Sequence, residues 1–348
     1  MEFAENRIHG QHVAKKIEKS EYQMLKRLPA MPAVGRPRAW QAGKMHDQDH
    51  MLDSKNVIRV GTAGWNYKDW YGIVYPENPD KKFKELDFLA SFFDTAEINS
   101  TFYRPPNSFM GAAWVRKVAH NPRFKFTAKL WQRFTHDRKE FSSEEVELYT
   151  QGIDPMARAE KLGAVLCQFP WSFKNEETSR KWLMDVLRTF KDYPLVIELR
   201  HASWDVPAIY ELLDEQNVGF AAIDQPVIGK SIEFKPMRTG KIGYVRMHGR
   251  NYKAWFARKD DKAEKKKSPT ARYDYLYSEK EIQDISQNVQ KVAEGTQETY
   301  VIQNNHPWGQ AVANALQLRA ELGEEILKVP ATMLTRFPEL KKIAQPVE

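Results

Sequence analysis

A single cysteine, Cys167, stands among 348 residues. One thiol excludes an internal disulfide and a cysteine-based zinc site, and it favours a reducing compartment. No run of about 18 apolar residues occurs. Met1 to Gln11 also lacks the apolar stretch of a secretory signal, so a soluble, cytoplasmic protein without a membrane partner is expected. The chain has no internal repeat. It has no Gly-rich phosphate turn either, since Gly61-Thr62-Ala63-Gly64 does not open directly into a helix. A nucleotide cofactor motif is therefore missing. What the chain does have is 42% hydrophobic and 12% aromatic residues, enough for a sizeable core.

The net charge of +7 is uneven. Residues 1–56 hold ten Lys/Arg against seven Asp/Glu, and residues 250–272 hold nine against three, so the rest is slightly acidic. A lysine-rich loop is most often a solvated face; otherwise it attracts phosphate or an acidic partner. In 250–272, Tyr252, Trp255 and Phe256 interleave with the basic residues, the composition of a nucleic-acid-binding surface.

Eight short apolar runs follow in order: Val57–Ala63, Thr95–Asn99, Phe124–Leu130, Ala164–Phe169, Leu195–Leu199, Gly219–Ile223, Ile242–Met247 and Thr299–Gln303. Most are separated by helical patterns, such as Lys82–Phe93, Ser108–His120, Glu176–Phe190, Asp205–Gln216, Ser278–Ala293 and Trp308–Leu322. A capping signal at Ser142–Glu145 starts a further helix toward Leu162, which Gly152 and Pro155 should interrupt. No helix is expected after the sixth strand, over Gln225–Gly240. Strand and helix in alternation imply a parallel sheet. Eight such units within 56–325 match an α/β fold of the (β/α)8 TIM-barrel class. Residues 1–55 read as a basic, flexible N-terminal extension, and 326–348 as a C-terminal tail of short helical pieces packed on the barrel.

Parallel strands are covered on both faces and should be apolar throughout. Here they end instead on Glu97, Asn99, Lys129, Gln168, Glu198, Arg200, His201, Asp224, Arg246, His248 and Arg250. Ligands of parallel α/β folds bind at that carboxyl edge. The two-residue period puts Glu97 with Asn99, Lys129 with Lys125 and Thr127, Glu198 with Arg200, and Arg246 with Tyr244 and His248. The expectation is one crevice holding Glu97, Lys129, Glu198, Asp224 and His248.

Three chemistries suit that set. Glu97, Glu198, Asp224 and His248 are candidate ligands of a divalent metal. The carboxylates with His201 and His248 are alternatively catalytic acids and bases. Lys129, Arg200, Arg246 and Arg250 suit a phosphate or carboxylate. Against these stands the plain reading of buried ion pairs that fix the barrel, although desolvating so many charges for structure alone is unfavourable. Seven of the ten tryptophans follow strands, among them Trp65, Trp171, Trp204, Trp255 and Trp308. With Tyr103 they form a candidate stacking rim, while His136 and His306 lie in loops at the same edge.

Five motifs then agree with one family. Val60-Gly61-Thr62-Ala63-Gly64-Trp65, Glu97 to Tyr103, Glu198-Leu199-Arg200-His201 with Trp204, Val245 to Arg250, and Asn304-Asn305-His306 resemble the YecE-like family, also called domain-of-unknown-function family 72. The resemblance implies a TIM barrel over about 56–325 and no established activity. Residues 1–55 and the insertion near 259–267 look like additions to that pattern.

The expectation is an enzyme, a hydrolase, lyase or isomerase, acting on a small polar or anionic ligand that carries a sugar, nucleotide or phosphate. In it Glu97, Glu198, His201, Asp224 and His248 are catalytic. Trp65, Asn99, Tyr103, Lys129, Gln168, Arg200, Trp204, Arg246, Arg250, Asn304 and Asn305 bind substrate. A non-catalytic nucleic-acid-binding protein working through 250–272 is the alternative. Sequence leaves the cofactor and the oligomeric state open.

Overall fold

A computed structural model describes residues 56–256, 270–324 and 327–347. The expected N-terminal extension and the lysine run 259–267 lie outside the described residues. The eight strands are β1 (Val57–Ala63), β2 (Thr95–Ile98), β3 (Lys125–Lys129), β4 (Leu162–Gln168), β5 (Leu195–Glu198), β6 (Gly219–Asp224), β7 (Ile242–Met247) and β8 (Glu298–Gln303). Each pairs in parallel with the next, and β8 returns to β1. The result is a closed, TIM-like barrel with helices around it.

The strand alternation sorts residues into two layers. Ala63, Ala164, Leu166, Val196, Ala221, Tyr244, Tyr300 and Ile302 fill the barrel interior. Intervening residues such as Val165, Cys167 and Ile197 face a core shared with the surrounding helices. Burial raises the Cys167 thiol far above its ordinary pKa, so it behaves as a small core side chain. Near the amino-terminal end, Lys125 donates to Glu298 (2.7 Å), which also pairs with Arg59 at 3.1 Å. Lys125 therefore belongs to a structural network at the opposite end from Lys129, although both share one face of β3.

Residues 225–241, between β6 and β7, contain no helix, as the sequence pattern indicates. The helix Ser143–Arg158, by contrast, runs unbroken through Gly152 and Pro155. Its Ser142–Glu145 capping box starts it, and Val146, Tyr149, Ile153 and Met156 bury one face at helical spacing. Gly152 serves close approach here. A Cβ added there would lie 2.0 Å from the carbonyl oxygen of Pro106, and one on Gly111 would lie 2.2 Å from that of Gly152.

The C-terminal segment is more than helical pieces. β9 (Leu327–Pro330) and β10 (Ala344–Val347) form a small parallel sheet. Between them Met333, Phe337 and Leu340 are buried in the same core as Val60, Leu89 and Leu316.

Candidate functional site

The carboxyl ends of β2, β5 and β7 meet on one guanidinium. Arg246 is almost fully buried; it donates through Nη2 to Glu97 Oε1 and through Nη1 to Glu198 Oε2, each at 2.7 Å. Glu198 Oε1 accepts from Arg200 Nε at 2.8 Å and Nη2 at 2.7 Å. Glu97 Oε2 accepts from the Tyr244 hydroxyl at 2.9 Å, which in turn lies 2.9 Å from Thr127 Oγ1. Gln168 Oε1 accepts a longer bond from Arg246 Nη1 (3.2 Å). Thus all four carboxylate oxygens are engaged.

His248 stands above this layer, its Nε2 3.4 Å from Arg246 Nη1 and its Nδ1 2.7 Å from the side-chain amide of Asn304. Asn304 Nδ2 faces Nδ1 and can donate to it, while Arg246, which can only donate, faces Nε2. Burial and the neighbouring Arg246 charge hold the imidazole well below its usual pKa, hence neutral. Burial opposes ionisation of Glu198, but the attraction of Arg246 and Arg200 outweighs it and holds the carboxyl below the usual carboxylate range.

Lys129 is the odd member. Half-buried, it points its ammonium at the ring of Phe102, 4.8 Å from the centroid. Among the described residues that ammonium has no hydrogen-bond or ion-pair partner. Burial and then the Arg246 charge lower its pKa to about 8, against the pull of Glu97 and Glu198. With Lys129 protonated the layer holds three cations, Lys129, Arg200 and Arg246, against two carboxylates. The surplus is one positive charge.

Several expected members lie elsewhere. Ala221 faces the barrel interior and Ala222 the helices, so Asp224 falls on the outer face. There Arg250 (Nη2 at 2.6 Å) and the Tyr277 hydroxyl (2.7 Å) take up its carboxylate. The expectation that Asp224 shares a crevice with Glu97 is therefore corrected, and Arg250 goes with it. Trp204 is fully buried, stacked on Phe173 at 5.0 Å and donating to its carbonyl; a ring without free surface cannot stack on a ligand. Asn305 is buried too, donating to the Tyr275 carbonyl and Asn314 Oδ1. His201 turns from the interior toward Ser203 (2.8 Å) and the edge of Trp171.

Among the rim candidates, Tyr103 is exposed, Asn99 is half-buried before a short helix, and Trp65 packs edge-on against Trp114. Among the described residues no group of three or more His, Cys, Asp and Glu is arranged to hold a metal ion. The proposed ligands Glu97, Glu198, Asp224 and His248 do not fit one, because both glutamates are neutralised by arginine and Asp224 faces away.

Sequence reading overlooked Tyr67. Its hydroxyl donates to the Ala63 carbonyl at the end of β1, and its ring stacks on His306 at 4.4 Å. Burial, then the charge of Glu97, raises its pKa far above the ordinary phenol value, so it stays a neutral donor. A phenol four residues past an interior alanine carries no sequence signal of its own. His306 is held neutral by burial, its pKa lowered to about 4.

Of the basic loop, residues 257–269 lie outside the described residues. In the rest, Arg250 is occupied by Asp224 and Glu281, while Arg272 lies over the ring of Trp255.

The sequence profile of "Protein of unknown function DUF72" matches residues 59–339. This chain belongs to the DUF72 family. It is 27% identical over 273 residues to the UPF0759 protein YunF of Bacillus subtilis (strain 168), which spans 75% of this chain and 93% of that one. Among solved structures it is similar to a DUF72 family protein from Thermotoga maritima MSB8, with TM-score 0.64, 33% identity, and coverage of 77% of this chain and 100% of that one. A DUF72 family protein from Enterococcus faecalis V583 gives a TM-score of 0.65 at 27% identity, covering 77% and 96%. The family match runs to residue 339, so it takes in Met333 and Phe337 of the segment that closes the core after β8. Among the described residues no helix is long and apolar enough to cross a membrane.

Proposed function

We propose that this DUF72 protein is a (β/α)8-barrel enzyme that binds a small anionic ligand, phosphate- or carboxylate-bearing, at the carboxyl end of its barrel. The observation that carries this is Lys129: an ammonium without a hydrogen-bonding partner among the described residues, in a layer with one surplus positive charge. An anion there would neutralise the surplus and accept from Lys129 and Arg200 by charge-assisted bonds. Arg246, paired through Nη1 and Nη2 with Glu198 and Glu97, sets the field. A hydrolase, lyase or isomerase needs a group that both gives and takes a proton, and a pKa of about 8 suits Lys129 to that work near neutral pH. Glu198 is too weak a base for it, and its part is to hold both arginines. Neutral His248, oriented by Asn304, is the second proton-transfer group.

Calorimetric titration with inorganic phosphate tests the reading. Wild-type protein should bind and Lys129→Met should not. Equal binding by the two would refute it. Binding that weakens steeply with salt, survives Lys129→Met and disappears when residues 259–267 are deleted would favour the nucleic-acid loop instead.

A further inference from the structure

Loops after β1, β7 and β8 line an open cavity of about 900 Å³. That size suits a small-molecule site. Its walls include Tyr67, Asp69, Asn251, Asp274, His306 and Trp308. Tyr67 joins it to the barrel mouth, since its hydroxyl donates to the carbonyl of Ala63, an interior residue at the end of β1.

Trp308 is the unusual wall residue. It is 49% exposed, and its backbone adopts φ 58°, ψ 25°, a left-handed conformation that a bulky side chain seldom takes. The bond from Trp308 N to Asp69 Oδ2 (2.6 Å) holds it there. A large indole kept in solvent by a strained, hydrogen-bonded backbone has a face to offer. The charged groups of the lining are the cation Lys253 and two carboxylates, Asp69 and Asp274. Asp69 takes one bond, from Trp308, and Asp274 takes one at Oδ1, from Gln310. Each therefore leaves a carboxylate oxygen uncommitted among the described residues. Nδ1 of His306 is buried without a partner among the described residues.

An apolar face flanked by carboxylate acceptors matches a ring that carries many hydroxyl donors. We infer that this cavity is the subsite for a sugar ring, which stacks on Trp308 and donates hydroxyls to Asp69 and Asp274 while its anionic substituent reaches Lys129 and Arg200. The inference rests on the anion reading for that substituent but not for the ring, and this separates the two tests.

Calorimetry would compare inorganic phosphate, aldose phosphates and uncharged methyl glycosides on wild type and on Trp308→Asn. Asparagine tolerates the left-handed conformation, and circular dichroism verifies folding. Aldose phosphates should bind wild type roughly tenfold tighter than inorganic phosphate, and Trp308→Asn should erase that advantage while leaving phosphate binding intact. Trp308→Phe should restore most of it. If phosphate fails to bind but methyl glycosides bind in a Trp308-dependent way, the sugar subsite stands and the anion reading falls. Should aldose phosphates bind no tighter than phosphate, or Trp308→Asn change nothing, the subsite is refuted. A nucleoside monophosphate that outcompetes every aldose phosphate would also overturn it.

Discussion

Glu198→Gln separates the structural from the chemical part of the ion-pair layer. The carboxylate is fully buried, and its two oxygens receive three guanidinium bonds of 2.7–2.8 Å, from Arg246 and Arg200. An amide keeps the shape and one acceptor but removes the charge. Of its two carboxylate partners Arg246 then retains Glu97. Arg200, whose side chain is 19% exposed, must turn toward solvent. The surplus charge of the layer rises from one to two with Lys129 protonated. Breaking a buried pair by removing one partner costs about 3–5 kcal/mol. For a chain of this size that corresponds to a fall in Tm on the order of 10 °C.

Thermal and urea unfolding measure the loss. The same variant, where folded, should bind inorganic phosphate more tightly than wild type, because an added anion replaces the lost carboxylate. Stability equal to or above wild type would refute the reasoning, since it would mean that the carboxylate is retained against stability and not for it. The pH dependence has a definite sign. A carboxyl whose pKa is lower folded than unfolded contributes stability that is present above its unfolded pKa and is lost as the pH falls toward the folded one. Wild type should therefore lose stability in acid, below about pH 4, more steeply than Glu198→Gln.

Lys129 has the opposite linkage. Its pKa is lowered to about 8 in the folded protein, so the unfolded chain binds its proton more tightly and stability rises with pH through that region. Lys129→Met should raise Tm at pH 7 and remove phosphate binding, and wild-type phosphate affinity should decline above about pH 8; a Tm drop in Lys129→Met would contradict this. Asp224→Asn should destabilise the protein by about 1–3 kcal/mol through Arg250 and Tyr277, yet leave phosphate affinity unchanged in calorimetry. Gly152→Ala, with its Cβ 2.0 Å from the Pro106 carbonyl, should force apart the helices 108–117 and 143–158 and lower Tm by many degrees, whereas Gly323→Ala, with open space around it, should show only the small cost of its positive φ.

The barrel was legible because parallel strands are written as apolar runs bounded by polar residues, and all eight runs correspond to strands within a few residues. The inward face was legible wherever a strand carries contrasting residues. Phe126 and Ala128 against Thr127 and Lys129 leave one arrangement for β3, and Tyr244, Arg246 and His248 do the same for β7. β6 has no such contrast. Gly219 to Ile223 is apolar on both faces, so nothing local says which alanine looks inward, and the expected place of Asp224 falls in the wrong layer. The neighbour that decides the matter is Tyr277, 53 residues away, whose hydroxyl bonds the carboxylate.

Loop residues were harder for a related reason. Once the chain leaves the sheet the two-residue period stops, and an aromatic after a strand can serve as a lid or as a plug. Trp204 and Trp308 look alike in sequence, each a few residues past a polar strand end. Burial against Phe173 makes one a plug, and the bond to Asp69 together with a left-handed backbone turns the other outward. The sheet of β9 and β10 was missed because both strands contain proline and pair across an intervening helical segment, so no local alternation marks them. The same distinction orders the functional reading. Glu97 and Glu198, which sequence marked as catalytic, are both paired with Arg246, whereas the ammonium of Lys129, which sequence marked as an anion binder, has no hydrogen-bond or ion-pair partner among the described residues. Chemistry at this barrel mouth is therefore argued from Lys129, the group with a charge still to balance.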